Sequence, residues 1–542
     1  MALAATPAAA RLSSSIEDAR LAYVQARAAA MTGDHARSAS LLASLAANQP
    51  QDVDLARKAL GEAIGAGETQ LALKLARSIP PEKLSSDARL LLAADEIRRR
   101  RPERALAWLS VKAETGDLGF MAPLVSAWSA AERGQMEPAL ETIDAVPVNS
   151  LLGPLRAEER ALILLKFRRT AEAEPFARRA VGAAGSRETR LRLALADGFL
   201  EAGDRARAAM MVEGIGAEAA AARQRVLAGK ATGEAIDTTA KAFAEALTAF
   251  AGDLARLQRA APPIGLVQVA RYADPKSSNA AILLALLLNG QGRQDDALAL
   301  LRTVPADNGL ISVVRDVQVD TLSDEKRFNE AYAIAAPAAS GRDAGVNDLA
   351  RLGGLMEAMD RHAEAADAYG RAIALANAQG LKSDLWTLLL FRASSLEAAG
   401  RWTEARQVLE QGLAIAPDQP LLLNFLGYGK LERGEDLDAA EAMIRKASEL
   451  APDDASITDS LGWAQYKRGK VAEAIGTLQR AAEKDPDQAE IQEHLGDALY
   501  KSGRRFEARF AWSAALVTAE DDIASRVKAK LAAGLNPANA AP

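Results

Sequence analysis

Between 456 and 468 the apolar residues Ile457, Leu461, Trp463 and Ala464 recur at helical spacing, with polar residues between them. Gly469 follows, and glycine ends a helix cheaply because it takes the left-handed cap without steric cost. A second apolar stripe, Ala474, Ile475, Leu478 and Ala481, then runs to Pro486, which cannot continue a helix. The pattern predicts a hairpin of two helices that cross where Gly462 and Ala474 are small. A single hairpin cannot bury its own apolar face and must stack on another.

The chain supplies the others. The line DSLGWAQYKRGKVAEAI at 459–475 returns as EHLGDALYKSGRRFEAR at 493–509. Stepping back from Ala508 and Ala474 gives Ala440, Ala405, Ala365, Ala331 and Ala297, and further upstream Ala208, Ala173, Ala139, Ala105, Ala72 and Ser38. Seven of these eleven steps equal 34 residues, so the period is not an accident of alanine-rich composition. A second column of mostly small residues runs about twelve residues earlier, from Ala26 to Gly496, and prolines punctuate the register at Pro50, Pro417, Pro452 and Pro486. The rhythm breaks between Ala208 and Ala297: one unit fits at 244–277, and 223–243 is left over as an irregular joint between two arrays. A longer step at 374–385 predicts a lengthened hairpin.

The expected fold is all-α: an α-solenoid, wound as a right-handed superhelix, of about 14 helix hairpins. The expected segments are a flexible N-terminus or processed signal remnant at 1–18, an N-terminal degenerate array at 19–222, the joint at 223–243 and a C-terminal array at 244–516, best formed over 386–516. A capping helix at 517–534 and a disordered tail at 535–542 complete the chain.

Composition narrows the function. Aromatics are only 4% of the 542 residues, so sheet-forming material is scarce. A formal net charge of −6 opposes general nucleic-acid binding, and the basic run Arg98–Arg101 reads as a solvated loop. No cysteine is present, which excludes thiol chemistry and cysteine-ligated metals. The three histidines, His35, His362 and His494, fall in different repeats and in no metal-ligand spacing. His494, beside Gly496, has the best functional case, but no nucleophile or base partner accompanies it. No cofactor, metal or small-molecule substrate is implied, and the chain is read as not an enzyme.

The 34-residue line resembles the tetratricopeptide repeat, whose pattern appears as Leu461, Gly462, Tyr466, Gly469, Ala474, Leu478, Ala481 and Pro486, and again as Leu495, Gly496, Tyr500, Gly503, Ala508, Trp512 and Ala515. In such stacks the first helices line a concave groove. The repeat register places Asn424, Tyr428, Asp459, Trp463, Tyr466, Lys467, Glu493, Asp497, Tyr500 and Lys501 in it, an aromatic ladder interleaved with polar groups, as peptide grooves commonly use. Tyr466 and Tyr500 are equally explained by packing between repeats.

The lines LNFLGYGKLERGEDLDAAEAMIRKASELAPDD, DSLGWAQYKRGK and EHLGDALYKSGRRFEARFAW further resemble exported or outer-membrane-associated repeat proteins of proteobacteria. That group includes the lipoprotein adaptor that brings cell-wall hydrolases to a periplasmic carboxyl-terminal processing protease. The resemblance implies a periplasmic or outer-membrane-associated scaffold or adaptor for one or more proteins, associated with a membrane through a partner or an anchor outside this chain. A cytoplasmic location, a permanent subunit of a secretion, pilus or assembly complex, and a helical-repeat RNA binder are the alternatives.

Overall fold

A computed structural model describes residues 7–541 except 217–218, 258–261, 342–343 and 382–384, with side chains from residue 18 onward. Among the described residues there are thirty α-helices and no strand, an all-α solenoid of stacked hairpins. The chain divides into two compact units, Met1–Pro337 and Ala338–Pro542. The division falls within the helix Phe328–Ser340 and not at 223–243, where the broken rhythm had placed a joint.

In each unit the small-residue columns sit at the helix crossings. Ala72, Ala105, Ala139, Ala173, Ala208 and Ala297 in the first unit, and Ala365, Ala405, Ala440, Ala474 and Ala508 in the second, are all fully buried. The facing glycines leave no room: a Cβ on Gly462 would lie 2.6 Å from Leu478, and one on Gly496 2.3 Å from Trp512. A further column emerges at the end of each first helix, where the chain turns through the left-handed region. Glycine fills it at Gly67, Gly134, Gly469 and Gly503, but Arg100, Arg168, Lys326 and Asp360 take the same positive φ, near +57°. Those four residues hide the cap column from a search for glycine.

The first unit opens with six helix pairs, beginning with Pro7–Met31 and His35–Asn48 and ending with Glu188–Glu201 and Arg205–Met211. Its first helix thus starts ahead of the boundary expected at 19; residues 1–6 lie outside the described residues. First helices of neighbouring pairs also touch one another, which defines an inner face. Residues 228–257 and 262–273 cover that face. Asp197, on Glu188–Glu201, accepts hydrogen bonds from the backbone N–H groups of Thr232 (2.7 Å), Gly233 (2.9 Å) and Glu234 (2.8 Å), and from the Thr232 hydroxyl. The 18-residue helix Thr239–Arg256 then crosses Ser86–Arg98 and Ala122–Glu132, and Ile264–Ala273 packs on Val53–Ala66 and Ser86–Arg98. The helices of the unit expected at 244–277 do pair with each other, and the pair also fills the inner groove. Its seat is fixed by polar contacts: Arg190 pairs with Glu245, and the Tyr272 hydroxyl donates to Asp95 at 2.8 Å. The basic run is part of this seat, because the Arg98 guanidinium stacks 4.4 Å over Tyr272 and donates to its carbonyl, while Arg99 pairs with Asp95.

The second unit is a plainer stack. Its pairs are Val346–Ala358 with His362–Ala378, Leu385–Ala398 with Trp402–Ile415, Pro420–Glu432 with Leu437–Leu450, Ala455–Lys467 with Val471–Lys484, and Ala489–Lys501 with Arg505–Thr518. The insertion expected at 374–385 is taken up by the 17-residue helix His362–Ala378; residues 382–384 lie outside the described residues. A last helix, Asp521–Ala533, packs against both members of the final pair.

Candidate functional site: the inner face of the second unit

The inner face is built from Pro420–Glu432, Ala455–Lys467 and Ala489–Lys501, whose neighbours pack first helix to first helix. An ordinary surface helix buries one stripe. Here residues 457–465 and 491–499 are buried without interruption, so both sides of these helices are covered.

Trp463 is the centre of the cover. It is 1% exposed, and its ring stacks on His494 (centroids 4.0 Å apart, 11° between planes) and on Tyr466 (4.7 Å, 12°), with the Lys467 ammonium 5.3 Å above. His494 is itself fully buried and its Nδ1 lies 2.8 Å from Asp459 Oδ2. Burial alone depresses an imidazole pKa, but here the hydrogen-bonded Asp459 carboxylate, with Glu490 and Asp497 beyond it, raises the His494 pKa above its usual value. His494 thus bridges two repeats, bonded to Asp459 and stacked on Trp463. His35 and His362 open the second helices of their pairs, each with Nδ1 2.7 Å from a carboxylate, Glu62 and Glu357 respectively.

The acidic candidates are tied into ion pairs. Lys530, from the last helix and fully buried, reaches Glu493 and Asp497 at 2.7 Å each. Glu493 also accepts a fork from Arg526, and Asp497 accepts from Trp512 Nε1 at 2.9 Å. Arg526 and Lys530 lie 33 residues after Glu493 and Asp497. Carrying the period one step past the last hairpin finds them, a signal that the expectation of a polar cap passed over.

Tyr428 and Tyr466 are half-buried and pack against the cluster of Leu431, Leu461, Trp463 and Ala464. Burial pushes the Tyr466 hydroxyl up to about 12, and burial with nearby Glu432, Glu490 and Asp459 pushes Tyr428 up further. Tyr500 leans on Trp512, 5.4 Å between centroids, and its hydroxyl abuts Gly534. Lys467 and Lys501 are exposed. Among the described residues, Asn424 Oδ1, Glu432 Oε1 and Asp459 Oδ1 are buried acceptors without a hydrogen-bond donor.

Residues 534–541 complete the site. The expectation of a disordered tail gives way to a segment folded back on the groove. Asn539 Oδ1 accepts from Asn536 N (2.8 Å), Asn539 Nδ2 donates to the Gly534 carbonyl (2.9 Å), and Ala541 N donates to Asp497 Oδ2 (3.2 Å). Ala541, 5% exposed, joins the cluster of Leu431, Leu461, Trp463 and Ala464, against which Tyr428 and Tyr466 pack.

Among the described residues, no group of three or more His, Cys, Asp or Glu side chains is arranged to hold a metal, and no helix is long and apolar enough to cross a membrane. Two stretches of this unit match family models: residues 386–429 match the tetratricopeptide repeat, and residues 462–503 match a second model described as TPR repeat. These stretches are tetratricopeptide repeats, which are generally non-catalytic scaffolds for other proteins and peptides. No curated protein matches. Solved structures resembling the chain include the Cut9–Hcn1 hetero-tetramer of the APC/C (14% identity, 96% of both chains, TM-score 0.38). A tetratricopeptide repeat protein from Parabacteroides merdae matches at 14% identity over 48% of this chain and 99% of its own, with a TM-score of 0.39. YrrB, titled a TPR protein with an unusual peptide-binding site, matches at 17% identity over 36% of this chain and 97% of its own, with a TM-score of 0.27.

Proposed function

We propose that the chain is a non-enzymatic scaffold that holds an extended segment of a partner protein along the inner face of the second unit. One observation carries this reading: buried acceptors on Asn424, Glu432 and Asp459 face no donor within the described chain. An unpaired buried acceptor is costly, and a bound backbone or side-chain donor relieves it. The acidic wall of Glu432, Asp459 and Glu490 opposes a nucleic-acid backbone, so the RNA reading is set aside.

The finer proposal is an adaptor of the proteobacterial envelope, periplasmic or outer-membrane-associated, that delivers cell-wall hydrolases to a carboxyl-terminal processing protease. Its support is the resemblance of the repeat lines at 423–512. The second reading, a permanent subunit of a larger assembly, is favoured by Phe506 (73% exposed), Phe510 (64%) and Val517 (82%), which line the outer side of Arg505–Thr518.

One comparison separates the two. Partners are captured from the native source on the intact chain, on Asn424→Ala/Tyr428→Ala and on Phe506→Ala/Phe510→Ala, and quantified by mass spectrometry. The scaffold reading expects the groove pair to lose a specific partner about 10-fold while the outer pair keeps it. Loss with the outer pair alone would overturn it in favour of the subunit. Trp463→Ala is unsuitable here, since removing a buried tryptophan costs about 3–5 kcal/mol of stability.

A further inference from the structure

We infer that residues 535–541 are the resident ligand of the groove, and that the partner segment accepted there is an extended run of small, uncharged residues that displaces them. The inference rests on the scaffold reading and specifies its ligand.

The segment Leu-Asn-Pro-Ala-Asn-Ala-Ala carries little apolar surface and has no reason to fold by itself. Its order comes from what it touches. Asn536 and Asn539 tie a tight turn, with Asn536 Oδ1 accepting from Ala538 N at 2.9 Å. That turn redirects the chain from Gly534, at φ +78°, toward the groove. Ala541 then does what a peptide ligand does: its side chain enters the aromatic and leucine cluster while its backbone N–H is read by Asp497. Reading a main-chain N–H gives affinity, and a shallow seat between aromatic rings gives a preference for small side chains.

The seat is selective in charge as well. Glu432, Asp459, Glu490 and Asp497 surround it, and Lys530 is already shared between Glu493 and Asp497. An acidic ligand would face net repulsion, because these four carboxylates outnumber the Lys467 ammonium over Trp463. Among the described residues the hold on the segment is small, the Ala541 N–H on Asp497, the Ala541 methyl in its cluster and Leu535 against the cluster around Trp512, so it can exchange. Tethering compensates: a segment joined to the groove by a short link has an effective concentration on the order of millimolar. A free peptide with a dissociation constant near ~100 μM would therefore bind the intact chain about 10-fold more weakly than a chain without the segment.

The test uses a fluorescein-labelled peptide of sequence LNPANAAP, read by fluorescence anisotropy. Three proteins are compared: the full chain, the chain ended at Gly534, and the full chain with Ala541→Glu, which keeps every residue but places a carboxylate beside Asp497. The expected result is binding to the second and third about 10-fold tighter than to the first, and no binding of a peptide with Glu at the position of Ala541. Equal binding to all three proteins, or none to the shortened chain with its helical circular dichroism intact, would overturn the inference. If the peptide fails while partner capture still depends on Asn424 and Tyr428, the scaffold reading stands and this ligand assignment falls. If the peptide binds as expected while capture ignores the groove, the scaffold reading falls instead.

Discussion

Replacing Lys530 by methionine isolates the buried ion network that closes the second unit. The side chains of Lys530, Glu493 and Asp497 are all 0% exposed. At 2.7 Å and an effective dielectric near ~20, each ammonium–carboxylate contact is worth ~6 kcal/mol before desolvation, which offsets most of it. Methionine keeps the volume and removes the charge. Glu493 would retain its fork from Arg526, but Asp497 would lose its cation and keep only the Trp512 and Ala541 N–H donors. Orphaning one buried carboxylate while its neighbour stays paired points to the low end of the range for broken buried pairs, about 3 kcal/mol. Repeat arrays respond locally, so the loss should appear as fraying of the terminal hairpin and cap. Hydrogen exchange should show amides of 489–533 opening roughly 100-fold more readily, about 1.4 kcal/mol being tenfold, with 346–450 unchanged. Burial already raises the Asp497 pKa, so a carboxylate without its cation protonates readily, and the deficit should shrink as pH falls. A triple variant adding Glu493→Gln and Asp497→Asn removes all three charges and should recover most of the loss. A deficit below about 1 kcal/mol at neutral pH, or one that grows in acid, would refute the assignment of Lys530 as the closing charge.

Gly496→Ala should destabilise by about 1–3 kcal/mol in urea unfolding, since its Cβ lands 2.3 Å from Trp512, whereas Gly476→Ala, which meets nothing within 4 Å, should stabilise by about 0.5–1 kcal/mol. The His494 pKa is raised in the folded state, so its contribution is full below the unfolded value of 6.5 and is lost as pH rises through the folded one. Urea midpoints of the intact chain should fall across that window relative to His494→Gln; parallel pH profiles would count against a buried imidazolium.

The two units show where local pattern suffices and where it fails. Ala474 and Gly462 announce their own crossing, because a small residue every 34 positions has one cheap explanation, two helices in close approach. Helix stacking is a nearest-neighbour affair, so the period alone determined the all-α hairpins, and the resemblance of Leu461–Pro486 to a known repeat followed from the same residues. The repeat register placed candidate residues on the first helices. What packs against them carried no signal in the register. Trp463 reads as a presented aromatic, yet the imidazole of His494 one repeat later covers it.

What only tertiary structure decided is what fills each inner face. Thr239–Arg256 and Ile264–Ala273 look like one more hairpin in sequence, but they fold back across helices laid down far earlier in the chain. Asp197 and Asp95 hold them there, and neither carries a local signal of that task. Residues 534–541 carry no periodic signal of order, and are held by the Asn536–Asn539 turn, by Asp497 and by the clusters around Trp463 and Trp512. Repetition encodes contacts between neighbours at a fixed separation; a contact made once, between segments of unrelated register, leaves no periodic trace for a sequence to show.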